Sequence, residues 1–217
     1  MSIPIYQGEK YLGLPVNCKH ELHESYLAAT HRVLLTALSH HPRSILFHVI
    51  LRYPQNWLSG SEGSITRFLK AFKAKVHADQ QRRIRWGKNC HLTRVNYIWC
   101  RESSTELKEH YHVFILLNRD SYRKLGHPSG HRIGELTWMI SSAWAGAIGL
   151  NHTDVAGLIE FKHPKSIIVK DIPGSIKEEY DDVLRDSFES AFHWMSYACK
   201  LTTKEYGNGV RHFGSSQ

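Results

Sequence analysis

The residues best suited to chemistry fall in two short runs. His110-Tyr111-His112 opens into the apolar stretch Val113-Phe114-Ile115-Leu116-Leu117, and Trp99-Cys100-Arg101-Glu102 ends eight residues before His110. Side chains alternate along a β-strand, so His110 and His112 point to one face and Tyr111 to the other. An antiparallel hairpin from Glu102 back to His110 would bring a carboxylate beside both imidazoles. Two imidazoles and one carboxylate suit a divalent ion with coordination positions left open. A closed zinc site asks for Cys or further His at suitable spacing. Mg²⁺ or Mn²⁺, its shell completed by a substrate phosphate, fits this donor set better and would act as a Lewis acid on that phosphate.

Far downstream, Tyr197-Ala198-Cys199-Lys200 places a tyrosine and a lysine one helical turn apart. On a helical wheel over 184–204, Leu184, Phe188, Ala191, Met195 and Cys199 form the buried stripe. Tyr197 falls almost opposite that stripe, with Lys200 and Lys204 near it. A phenolate attacking phosphorus leaves a phosphotyrosine link and divides strand transfer into two reversible steps. Lys200 on the same side would favour the phenolate or hold the phosphate. A metal and a helix-borne tyrosine together suggest cutting DNA and retaining the cut end. Neither Tyr180, much earlier on the same helix, nor Tyr206, beyond its end near Gly207, is well placed for the same task.

Hydrophobic periodicity supplies the elements that must position these groups. Leu22, Tyr26, Leu27, Val33, Leu34 and Leu38 predict a helix within 19–41, ended by Pro42. The β-branched run 44–53, between Pro42 and Pro54, predicts a strand. After the Gly/Ser-rich stretch 59–64, Ser64 would cap a helix over 65–83. Strands follow at 92–101 and 110–118, the latter apolar on both faces beyond its histidines and therefore central. A helix over 131–148 ends near Gly149, strands at 155–161 and 166–170 turn at His163-Pro164, and a long helix covers 176–204. This order predicts one α+β domain around a central antiparallel sheet with flanking helices, an N-terminal helical extension over 1–42 preceding a core over 43–217.

Composition narrows the partners. The 217 residues carry net charge +8 with sixteen His taken as neutral, and the sequence pI is about 9.3. Such a balance favours nucleic acid. Lys70, Lys73, Lys75, Arg82, Arg83, Arg85 and Lys88 crowd one segment around Trp86. With Lys204 and the loop 103–109 they are the candidates for DNA contact, giving salt-dependent affinity without sequence choice. No membrane span or signal peptide is expected. Cys18, Cys90, Cys100 and Cys199 form no CxxC pair, which fits reduced thiols in the cytoplasm.

Taken in order, these parts resemble the HUH endonucleases of rolling-circle replication. The strand Ile45–Pro54 is similar to that superfamily's first motif, His110-Tyr111-His112 to its HUH motif, Cys100-Arg101-Glu102 to the acidic ligand one strand earlier, and Tyr197 through Lys200 to the single-tyrosine YxxK motif. A closer resemblance is to the YagK/YfjJ C-terminal domain family, which includes replication initiators of inovirus type. It is carried by HYHVFILLN (110–118), Ala143-Trp144-Ala145, SYACKLTTK (196–204) and Arg211-His212-Phe213-Gly214-Ser215-Ser216.

The resemblance implies an RRM- or palm-like sheet and a site-specific nick that leaves a free 3′-hydroxyl and a 5′-phosphotyrosine. Glu102, His110 and His112 would hold the metal, Tyr197 would be the nucleophile and Lys200 would assist. The substrate would be single-stranded or hairpin origin DNA of a phage, plasmid or integrated element, unwound and copied by a host helicase and polymerase. Tyr111 departs from the family's usual aliphatic middle residue. A non-catalytic origin-binding or regulatory protein on the same fold is the alternative. A primase-like or RNA-processing palm enzyme would need paired acidic ligands, which the HYH strand does not supply.

Overall fold

The computed structural model of the chain describes residues 3–57, 63–103, 109–127, 132–162, 165–168, 181–204, 206 and 209–217. Near the N-terminus, four two-residue strands make two small antiparallel pairs, β1 (Ile5–Tyr6) with β4 (Leu22–His23) and β2 (Lys10–Tyr11) with β3 (Leu14–Pro15). Helix α1 (Glu24–His40) follows, then β5 (Arg43–Arg52), α2 (Ser64–Arg85), β6 (Asn96–Glu102), β7 (His110–Asn118), α3 (Leu136–Ile148), β8 (Ile159–Phe161), β9 (Lys165–Ile168), α4 (Asp181–Ser196) and β10 (Phe213–Ser215). The result is an α+β fold in which the main sheet is antiparallel throughout.

Across that sheet the order is β10-β6-β7-β5-β8, with β9 also on β5. The hairpin β6–β7 sets Glu102 opposite His110 and Cys100 opposite His112. Strand β7 is central, and from Tyr111 to Leu117 every residue is buried. Because side chains alternate, each strand feeds two cores. Ile45, Phe47, Val49 and Leu51 of β5 pack with Tyr111, Val113, Ile115 and Leu117 beneath α2 and α3. Leu46, Ile98, Cys100, Phe114 and Leu116 pack on the other face against α1 and α4. Helix α1 gives that second core Leu27, Val33, Leu34, Ala37 and Leu38, apolar residues at helical spacing.

Several boundaries differ from the sequence expectation. Ser64 is the first residue of α2 rather than its cap. Gly63 takes the capping position with φ +71°, a left-handed conformation that glycine adopts at little cost. Leu136 opens α3, and Gly149 at φ +72° closes it. Val155 sits in a short 3₁₀ turn, His152–Val155, ahead of β8. β8 and β9 do not form a hairpin about His163-Pro164, two residues outside the described ones. Both run antiparallel to β5, Val49 opposite Phe161 and Leu46 opposite Lys165. They are two segments of one edge, with a one-residue register shift between them.

Candidate metal and nucleophile site

Period-two alternation puts Glu102, His110 and His112 on the face covered by α1 and α4, at the end of the sheet where β6 turns into β7. One ligand atom from each lies within 4.8 Å of the others. His110 Nε2 is 3.2 Å from His112 Nε2, and the two are 3.8 and 3.6 Å from Glu102 Oε2. Ligands at ~2.1 Å from one ion lie ~3 Å apart when adjacent, so a small contraction would seat all three on one side of a cation. The donors, two imidazoles and one carboxylate, fit a divalent ion. They leave its opposite side facing a cleft of about 570 Å³.

A third histidine, His48 of β5, completes the inner arrangement. Its Nε2 lies 2.9 Å from His112 Nδ1, while its ring stacks on Phe114 at 4.1 Å and meets Trp194 edge-on. Metal-binding imidazoles usually donate their second N–H to a fixed acceptor. For His112 to offer Nε2, its Nδ1–H must donate to His48 Nε2. Burial, then the neighbouring His112 and Lys162, hold His48 down at about 3, so it stays neutral and able to accept.

Tyr197 does not ride on the long helix expected over 176–204. The α-helix stops at Ser196, and Tyr197–Cys199 form a 3₁₀ turn. In that tighter turn residues three apart eclipse, and Lys200 Nζ donates to Tyr197 Oη at 2.6 Å. The same ammonium is 2.9 Å from Glu102 Oε2. Lys200 thus joins the phenol to the carboxylate of the trio, and the Tyr197 ring lies 5.2 Å from that of His112.

The turn is held from outside. Lys200 bridges to Leu22, Leu201 N–H donates to Glu21 O, and Ser103 N–H donates to Thr203 O. Asn17 N–H donates to Ser196 Oγ. Thr203 sits at φ +71°, backbone strain at the place where the chain leaves the site.

Charges in the cleft are set by these contacts. Burial would raise the Glu102 carboxyl, but hydrogen bonding and charge from His112 and Lys200 outweigh it and hold the group at about 2. For Lys200, burial would lower the ammonium, yet its bonds to Tyr197 and Glu102 raise it above the ordinary value. Lys200 is therefore a cation and a donor. On the β8 side, Glu160 pairs with Lys162 and with Arg52, the latter at 2.6 Å. The thiols are inert: burial pushes both Cys100 and Cys199 up to about 12.

The other basic candidates lie elsewhere. Lys70, Lys73, Arg85 and Lys88 are exposed on or just beyond α2, which covers the sheet face opposite the trio. Arg82 and Arg83 pair with buried Asp79, Arg83 at 2.8 Å, while Asp79 also accepts from Tyr122 Oη. Lys204 corrects the helical-wheel reading. It is buried, and its ammonium donates to the Lys200 carbonyl instead of facing a ligand. Tyr206 packs near His23 and His212 and does not line the cleft. Tyr180, the side chain of Leu184 and loop residues 104–108 lie outside the described ones. Sequence reasoning missed His48, Asn17, Trp194 and the Arg52–Glu160–Lys162 group. His48 carried one signal, the same strand parity as Leu46 and Ile50, which face the trio's side.

Fold and cleft together define an α+β protein with a two-histidine, one-carboxylate centre tied through a lysine to a tyrosine. The chain belongs to the YagK/YfjJ C-terminal domain family, whose profile matches residues 10–216. It is similar to the uncharacterized protein YagK of Escherichia coli strain K12, 28% identical over 201 residues that cover 88% of this chain and 92% of YagK. It is also similar to the uncharacterized protein YfjJ of the same strain, 30% identical over 158 residues covering 71% of each. No solved structure matches the chain.

Proposed function

We propose that the chain is a metal-dependent, single-tyrosine DNA nickase and strand transferase of HUH type. It would start rolling-circle replication of a phage, plasmid or integrated mobile element in the cytoplasm. The observation that carries the reading is the placement of Lys200 Nζ, 2.6 Å from the Tyr197 phenol and 2.9 Å from Glu102. A nucleophile and a cation-binding trio thereby share one open cleft. A two-histidine, one-carboxylate set also serves oxygen-activating iron sites; the phenol–ammonium pair beside it favours phosphoryl transfer here.

Glu102, His110 and His112 hold the divalent ion, Mg²⁺ or Mn²⁺, which when bound supplies Lewis-acid stabilisation of charge on the scissile phosphate. Tyr197 Oη forms the bond to phosphorus, and the P–O3′ bond breaks. The phenol loses one proton and the departing O3′ gains one, so the step needs no nucleotide and is reversible. Lys200, already protonated, stabilises the phenolate as it forms and then the phosphotyrosine oxygens. Arg52 and Lys162 line the same cleft and offer positive charge to the flanking phosphates. A host helicase would unwind the duplex and a host polymerase would extend the freed 3′-hydroxyl.

The test is cleavage of labelled single-stranded or hairpin DNA from the chain's own replicon, with Mn²⁺ or with EDTA. The reading expects metal-dependent cutting at one site and a 3′ end that a polymerase extends. Tight, sequence-selective binding without cutting would instead favour a non-catalytic origin-binding protein.

A further inference from the structure

At the opposite end of β6 from Glu102 lies a second cleft, of about 670 Å³, which the cutting reaction does not use. His40, Lys73, His77, Arg94 and Arg211 line it, and no Asp or Glu side chain does. Among the described residues none of Lys73, Arg94 and Arg211 pairs with a carboxylate. Lys73 lies over the Tyr97 ring at 4.8 Å, and Arg94 bonds His40 Nε2 at 2.9 Å. Gln217 closes the rim, and the basic side chains gathered around one concavity favour an anion there.

The opening is too polar for an apolar ligand, and the Tyr97 ring face is already covered by Lys73. The chemistry on offer is that of a phosphate oxygen.

We propose that this cleft binds phosphodiesters of the DNA strand as a second contact remote from the cutting site. Asn96 and Glu102 are the two ends of β6, which at ~3.3 Å per residue separates the contacts by ~20 Å. A strand spanning both would be fixed in register on the sheet. The inference rests on the nickase reading only in taking the strand to be DNA.

The test titrates labelled mixed-sequence single-stranded DNA into the full chain in EDTA across a salt series. Wild type and Lys73→Ala/Arg94→Ala are compared, with inorganic phosphate as a competitor. The double variant should bind about ten-fold more weakly, and its log–log salt slope should fall by about 1.4, at ~0.7 per lost single-strand contact.

Wild-type affinity and slope in the double variant overturn the proposal, as does a wild-type chain that binds no DNA. Competition by phosphate alongside unchanged DNA affinity in the double variant shows a free-anion site and overturns it too. Weakened binding in the double variant, with no covalent capture by Tyr197, leaves this proposal standing and removes the nickase reading.

Discussion

Replacing Lys200 with Met removes the charge that joins the phenol to the trio while keeping most of the stem's volume. Lys200 is 5% exposed, and the Glu102 side chain it pairs with is 4% exposed. Removing one partner of a buried pair costs about 3–5 kcal/mol. Glu102 retains His110 and His112 at 3.8 and 3.6 Å, which places the loss near the lower end. Against burial, His112 and Lys200 together hold the Glu102 carboxyl at about 2 rather than 4.5, so Lys200 supplies part of that depression. For a chain of this length each kcal/mol moves Tm by about 2–4 °C, so Lys200→Met should melt about 6–12 °C lower at pH 7 in EDTA.

The pH dependence has a definite sign. A carboxyl whose folded value is depressed contributes stability that is full above 4.5 and is lost as pH falls through about 2. In the variant the carboxyl rises, so the difference between the two proteins should be largest above 4.5 and shrink towards 2. Adding Mn²⁺ should raise the variant's Tm more than the wild type's, because no ammonium competes for the carboxylate. The assay is thermal unfolding followed by circular dichroism, with and without Mn²⁺. A variant that melts within 2 °C of wild type at pH 7, or a difference that persists undiminished at acid pH, would refute this reasoning.

Other expectations are independent of that pair. His48→Phe keeps a ring stacked on Phe114 and should leave Tm nearly unchanged. It removes the acceptor for His112 Nδ1–H, so Mn²⁺ affinity should fall about 10–100-fold by calorimetry; unchanged affinity would remove His48 from the site. Gly214→Ala would drive a Cβ into the Trp99 indole, displacing it where β10 pairs with β6. A loss of about 1–3 kcal/mol is expected in urea unfolding, and wild-type stability would show that the indole can move freely.

What the sequence revealed follows from how local each relation is. His110 and His112 share a face by strand period alone, and a short hairpin sets Glu102 opposite His110. His48 was out of reach because its meeting with His112 depends on the β5–β7 register, which pairs residues some 60 positions apart, Ile50 with His112 and His48 with Phe114. Helical periodicity carried past Ser196 gave the wrong surroundings for Lys204, because the backbone tightens at Tyr197 and turns that lysine inward onto the Lys200 carbonyl, while Lys200 stays beside Tyr197 as expected. His163-Pro164, read as a turn between two strands, lies outside the described residues, and the flanking segments run along one edge of β5.

On the proposed function, Tyr197 becomes covalently joined to DNA. The direct measurement incubates the chain with labelled origin DNA and Mn²⁺, separates the products on a denaturing gel and maps the modified peptide by mass spectrometry. A metal-dependent adduct is expected that survives denaturation, carries the nucleotide on Tyr197 and disappears in Tyr197→Phe while DNA binding persists. An adduct on another residue, or sequence-selective binding with no adduct under any metal condition, would contradict it.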